Sequence, residues 1–430
     1  MGIKGLWKHV APFGITHDLA QYSLAEGYIR NYHLSRTLHI GVDASCLLDG
    51  YISSQFAHPQ LHSPVNTTFS QLFRFLNQLS RCPVHATFMF DGEERPSYKR
   101  GVKVISRSPL LYQQAQILIQ AFGFNCYVAK GDAEVELCDA ERLGAVDAVL
   151  TRDSDVFALG AKCVLRVVPD QCTETKLVVD VYLAERIGLS RGAYILFALL
   201  SGNDVAIQGI PGFGHTICYA LCLSGLGDTL ADDWVNIVNS PYHTTEYFHA
   251  LKLDICNELK SNSKGYLRSR MPQLAKSFEQ SDFPSVVALQ AFLSPASAWS
   301  PHTRLPLPRI HSLDLIAQFC KEYIGWNGDQ TLALKLHSLW PGVVIRMLCS
   351  KYLAYNVETG ALLVPSIQSN ALFDASGSLA QPPTTKAVIR GSNPPCLGSG
   401  ASKGITCNIT DFIKSANLSR MASKSDTVIV

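Results

Sequence analysis

No pair of cysteines in this sequence has CxxC spacing, and no Cys/His set has zinc-module spacing, although thirteen cysteines are scattered along the chain. Cys218 and Cys222 come nearest, but they sit at helical spacing in an apolar run and read as core. An odd set of dispersed thiols excludes a disulfide framework and points to reduced cysteines in an intracellular compartment. There is also no run of about 18 apolar residues and no signal-peptide core at the N-terminus, so the sequence reads as soluble, with no membrane partner. Met-Gly opens a myristoylation signal, but Leu6 stands where Ser or Thr is wanted. Charge of one sign is scarce too. The formal net charge is +2, so any polyanionic partner must be met by local patches rather than by a global field. Disorder throughout is excluded, because 47% of the 430 residues are hydrophobic and 17% charged, enough for a large core and two or three domains.

Acids, by contrast, are concentrated. Lys130 to Gly160 reads KGDAEVELCDAERLGAVDAVLTRDSDVFALG, with Asp132, Glu134 and Glu136 in one burst and Asp153 and Asp155 in another. Gly131-Asp132 is a turn and cap signal opening a helix over Ala133 to Leu143, and AVDAVLT is a short buried strand. Two more apolar strands end in acids: Leu38 to Val42 before Asp43, and His85 to Phe90 before Asp91. Helical patterns over Phe69 to Leu79 and Leu110 to Phe122, and a strand over Phe124 to Val128, complete a recurring strand–helix–strand unit. The expected class is α/β, a mostly parallel sheet with helices on both faces. Such sheets bind ligands beyond the carboxyl ends of their strands. Crowded carboxylates repel one another unless a cation lies among them, and an oxygen-only set suits Mg²⁺ or Mn²⁺. A solvated acidic loop is the alternative; acids delivered to one edge by three separate strands favour a shared metal site.

Leu6, Trp7 and Val10 form one apolar face of a short N-terminal helix. Further along, Leu177 to Asp180 reads as a strand, and Val181 to Gly188 and Tyr194 to Leu200 as helices. Asp204 precedes a turn in which Gly209, Gly212 and Gly214 surround Pro211, a geometry that exposes backbone N–H groups to phosphate. The basic run Ser97 to Arg107 carries Lys99, Arg100, Lys103 and Arg107, suited to phosphate contact and charge stabilisation near the acids. Lys264, Arg268 and Arg270 either contact phosphates or face solvent on a helix. Ser294 to Pro308 reads as a linker, Leu313 to Leu348 as helical with Trp326 and Trp340, followed by strand-like LLVPSI. From Ser369 composition turns to that of a flexible tail, with a docking segment near Thr410 to Ile413.

MGIKGLW, GVDAS, FMFDG, GDAEVEL…LTRDSD and SGND…GIPGFG, in this order, resemble the structure-specific 5′ nucleases that include flap endonucleases, XPG and the Holliday-junction resolvases. The resemblance covers about the first half of the chain. It implies a PIN-like sheet (1–205), a helix-two-turn-helix region (206–300), a chromodomain-like small C-terminal domain (301–368) resembling fungal resolvase-like members, and a tail (369–430). By the same resemblance, two Mg²⁺ ions, replaceable by Mn²⁺, are held by Asp43, Asp91, Asp132, Glu134, Asp153, Asp155 and Asp204, with Asp91, Glu134, Asp153 and Asp155 closest. Glu134 precedes Asp153 by the family's nineteen positions, which leaves Glu136 as a helix-surface or outer acid. Lys99, one position out of register, matches the catalytic lysine, Arg100 accompanies it, and Gly2 takes the place of the amino terminus beside the active site. The departures are Asp132 for Glu, His215 for the basic residue after the glycine turn, Asp49 for a DNA-stacking Tyr (Tyr51 is a substitute), and a segment between Asp91 and Asp132 too short for a full helical arch. The implied activity is Mg²⁺-dependent endonucleolytic cleavage of branched or flapped DNA in repair or recombination, in the nucleus, by a family whose resolvases dimerise on junctions. A non-catalytic binding relative is the second reading, and a ribonuclease on the same sheet the third.

Overall fold

The computed structural model describes residues 2–29, 37–57, 66–95, 98–99, 102–103, 110–204, 208–237, 241–300, 302–306, 309–352, 354–356 and 361–363. Its strands are β1 (Ile15–Asp18), β2 (Leu38–Asp43), β3 (Val84–Phe90), β4 (Tyr98–Lys99), β5 (Val102–Lys103), β6 (Asn125–Val128), β7 (Ala148–Leu150), β8 (Cys163–Val167), β9 (Val178–Leu183), β10 (Ala354–Asn356) and β11 (Ala361–Leu363). Seven of them make one sheet in the order β1-β9-β8-β7-β2-β3-β6. The five from β8 to β6 run parallel, and β9 and β1 close the other edge antiparallel. The expected fold class is therefore present, with a mostly parallel sheet between helices.

Why both faces are covered follows from the pleat, which sends successive side chains to opposite sides. Met89, Val149 and Val164 enter one hydrophobic cluster with Leu137 and Phe197. Their neighbours Phe88, Phe90, Leu150 and Leu165 enter the other with Leu72 and Leu118. Helices form where the period changes: Asn66 caps Thr67–Ser80 by accepting from the Phe69 N–H, and Phe69, Leu72, Phe73, Leu76 and Leu79 are buried along it.

Two sequence expectations change. The helix read over Val181 to Gly188 begins only at Ala184, because Val181 to Leu183 continue β9 and pair with β8, Val181 also with β1. The stretch read as a linker after Ser294 lies along the outer strand: Asn125 donates to the Pro306 carbonyl, Trp299 packs edge-on against Tyr127, and Trp299 and Leu305 are buried. The path shields a sheet edge that would otherwise be open.

Helices Leu313–Phe319 and Trp340–Tyr352 join the cluster under β2 and β3 through Ile316, Phe319 and Val343. Arg346 is 2% exposed and lies with its guanidinium over the Phe124 ring. It donates to the carbonyls of Val84 (3.2 Å), Arg309 (3.1 Å) and Gly123. β10 and β11 form a separate antiparallel pair. The tail from 369, with its docking segment near 410–413, lies outside the described residues.

Removing the guanidinium takes a donor from the buried Val84 and Gly123 carbonyls and from the part-buried Arg309 carbonyl, and Gly123 keeps another, the Arg309 N–H. Arg346→Ala should cost about 3 kcal/mol or more, read as a lowered midpoint in urea denaturation with the slope unchanged.

Candidate metal centre

β7, β2 and β3 are neighbours running the same way, so their carboxyl ends open at one edge. Asp43 is the last residue of β2, Asp91 the first after β3, and Asp153 lies three past the end of β7. These three, with Glu134 and Asp204, line one cleft of about 690 Å³. Glu134 comes from the first turn of helix Ala133–Arg142, whose opening N–H, that of Ala133, donates to Asp91 Oδ1 at 3.0 Å. The Asp43 carboxylate accepts from Cys46 N–H and Thr151 Oγ1, both at 2.9 Å. Thr151 Oγ1 in turn accepts from the Asp153 N–H, and Asp153 Oδ1 accepts from the Asp155 N–H.

Asp43, Glu134, Asp153 and Asp204 are each less than a tenth exposed. Burial, and next the charge of Asp91, push the Asp43 carboxyl up to about 7. Among the described residues no three His, Cys, Asp or Glu side chains are gathered closely enough to cage an ion as they stand. The donor set nevertheless fits Mg²⁺, which keeps several waters and takes few protein oxygens. The donors are all carboxylates, they are withdrawn from solvent, and their mutual repulsion is already felt at Asp43.

Two of the seven expected ligands do not line the cleft. Asp132 precedes helix Ala133–Arg142 without capping it, and Asp155 begins helix Asp155–Leu159. Gly2 lies against this loop at φ +80°; a side chain there would run into the Asp153 and Asp155 carboxylates and the Ser154 hydroxyl. Glu136, read as a surface or outer acid, is fully buried, because its Oε1 accepts from the N–H groups of Lys130 (2.6 Å) and Ala298 (3.2 Å).

Lys99 and Lys103 lie on the β4–β5 hairpin. Arg100 and Arg107 lie outside the described residues. Asp49 lines the cleft and accepts from the Tyr112 hydroxyl at 2.6 Å; Tyr51 lies behind, in a smaller cavity shared with Asp43 and Cys46. The sequence reading missed the cleft's cations, Arg95, Arg152 and Arg166. Trp7, expected on an apolar face, also lines it; its indole N–H donates to the Arg152 carbonyl and Arg166 sits 4.6 Å from its ring centre. Arg152 had a signal, since it lies next to Asp153 in the acidic burst; Arg166, inside an apolar strand, had none.

The glycine turn joins helix Arg191–Ser201 to helix His215–Leu223. Gly209 is left-handed and crosses the Ser201–Gly202 backbone too closely for any side chain. Gly212 is also left-handed, and Gly214 caps the second helix with open space beside it. His215 Nδ1 meets His9 Nε2 at 2.9 Å, and Lys8 Nζ stands 3.4 Å from His215 Nε2, so a cation reaches this helix start from the N-terminal segment. Lys264, Arg268 and Arg270 are exposed to solvent in the turns and bends after helix Pro241–Ser261, not on a helix.

The XPG I-region profile matches residues 123–204, the stretch that carries Glu134, Asp153 and Asp204. This chain carries an XPG I-region. The resemblance read from its motifs is borne out by relatives as well. It is 37% identical over 98 residues to flap endonuclease GEN-like 1 of Oryza sativa subsp. japonica, covering 23% of this chain and 16% of that one. To DNA repair protein RAD2 of Saccharomyces cerevisiae it is 25% identical over 226 residues, 51% of this chain and 20% of the relative. The chain thus spans about a fifth of the length of these curated relatives. Among solved structures, the Holliday junction-resolving enzyme GEN1 in complex with product DNA and Mg²⁺ superposes with a TM-score of 0.61 at 25% identity, covering 84% of this chain and 85% of that one. The catalytic core of Rad2 with DNA substrate shares the fold, with a TM-score of 0.54 at 21% identity over 78% of this chain and all of that one. Among the described residues no helix is long and apolar enough to cross a membrane.

The raised Asp43 pKa fixes a sign. A carboxyl that binds its proton more tightly folded than unfolded loses stability as pH rises from its ordinary range near 4 to about 7. Metal-free Asp43→Asn should therefore melt above the parent protein at pH 8, with the gap closing towards pH 4.

Proposed function

We propose that this chain is a metal-dependent endonuclease that hydrolyses phosphodiesters in branched DNA, both 5′ flaps and Holliday junctions, in nuclear repair or recombination. The observation that carries this reading is the meeting of Asp43, Asp91, Glu134, Asp153 and Asp204, from separate elements, in one cleft beyond the sheet's carboxyl edge. These five residues would hold a pair of Mg²⁺ ions, or Mn²⁺ in their place, with Asp132 and Asp155 behind them, and the metal would supply Lewis-acid charge at the scissile phosphate.

The chain's own groups do the rest. Arg152 and Arg166 place positive charge on the cleft wall where a strand's phosphates would run, with Arg166 held over the Trp7 ring. Lys99, Arg100, Lys103 and Arg107 follow Asp91 in the sequence and are assigned to phosphate contact, Lys99 and Arg100 to charge stabilisation at the cut. Gly2 keeps the amino-terminal segment tight against the Asp153–Asp155 loop, fixing those carboxylates. The Gly209–Gly214 turn, with Lys8 and His215 at the following helix start, suits a duplex arm, and Lys264, Arg268 and Arg270 extend that basic surface. The GEN1 relative, solved with product DNA and Mg²⁺, supports the substrate class and the metal.

Purified protein should cut a 5′ flap and a four-way junction in Mg²⁺, with rates on a nicked duplex as reference. The double variant Asp153→Asn, Asp155→Asn should lose at least about a hundredfold while keeping its circular dichroism spectrum. Failure of the parent protein to cut any branched substrate in Mg²⁺ or Mn²⁺ would leave a nucleic-acid binding module instead.

A further inference from the structure

Asp91 faces the cleft already paired with a cation. Arg95 Nη1 lies 3.0 Å from Asp91 Oδ2, and the two side chains are 13% and 21% exposed. The other oxygen of Asp91 accepts from the Ala133 N–H. The turn that aims Arg95 back at Asp91 is fixed by its backbone: Gly92 N–H donates to the Gly131 carbonyl (2.7 Å) and Glu94 N–H to that of Lys130 (2.9 Å). Gly92 is required there, since a side chain would strike the carbonyls of Ala129 and Lys130. Arg95 also lines the cleft beside Asp43, Glu134, Asp153 and Asp204. A guanidinium bound to a carboxylate opposes a divalent ion at that carboxylate, and it also matches the geometry of a phosphate.

Taking the cleft as the metal site proposed above, we infer that Arg95 competes with the divalent metal for Asp91 and yields when a DNA backbone phosphate draws off its guanidinium. Metal loading at Asp91 is then coupled to the arrival of substrate. Without DNA the arginine holds the carboxylate in place and masks its charge; with DNA the same arginine binds the strand and leaves the carboxylate to the metal.

The test measures Mn²⁺ binding to the full chain by electron paramagnetic resonance of the free ion, so it does not depend on cleavage. Without DNA, Arg95→Gln should bind Mn²⁺ about tenfold more tightly than the parent, and Arg95→Lys should stay near the parent. A nuclease-resistant branched DNA should narrow the gap between parent and Arg95→Gln. Equal or weaker binding by Arg95→Gln, or a gap that DNA leaves unchanged, overturns the inference while the metal site stands. If the parent and Arg95→Gln bind no more Mn²⁺ than Asp153→Asn, Asp155→Asn does, the metal site itself falls, and this inference with it. Matching circular dichroism spectra exclude misfolding as the cause.

Discussion

Like charges withdrawn from water at one edge of a sheet are the constraint around which this molecule is arranged. Three neighbouring parallel strands end together, and each delivers a carboxylate to the same cleft. Left alone, such a group would shed its charge, as the upward push on Asp43 shows. The chain answers with short-range donors: the Cys46 and Ala133 amides, the Thr151 hydroxyl, and the arginine at Asp91. None of these neutralises the whole set, so negative charge remains in the cleft.

Much of this was readable in the sequence, for a physical reason. An apolar run that stops at an aspartate is both a strand and an address, so β2, β3 and β7 came with their acids attached. The fold class followed from the alternation of strands and helices. What stayed hidden depends on contacts between distant residues. Val181 to Leu183 fit either a strand or a helix, and only pairing with β8 and β1 decides. Glu136 looked like a surface acid because the amide of Ala298, more than a hundred and fifty positions away, cannot be foreseen from its own helix. Arg166 and Trp7 meet across the same kind of separation. Arg95 was closer to hand, four residues after Asp91, but lay outside the basic run that drew notice.

Much of the described part of the second half of the chain packs on the first. The stretch after Ser294 runs along the outer strand, and the helices beyond it fill the cluster beneath β2 and β3. The GEN1 and Rad2 likenesses likewise extend beyond the nuclease sheet, over 84% and 78% of this chain.

The Arg346 clamp has a consequence for the order of events during synthesis. Val84 opens β3 and Gly123 precedes β6, yet their carbonyls are satisfied by a guanidinium more than two hundred residues later. That end of the sheet is therefore complete only once the helix carrying residue 346 has been synthesised, more than two hundred residues after β3 and β6.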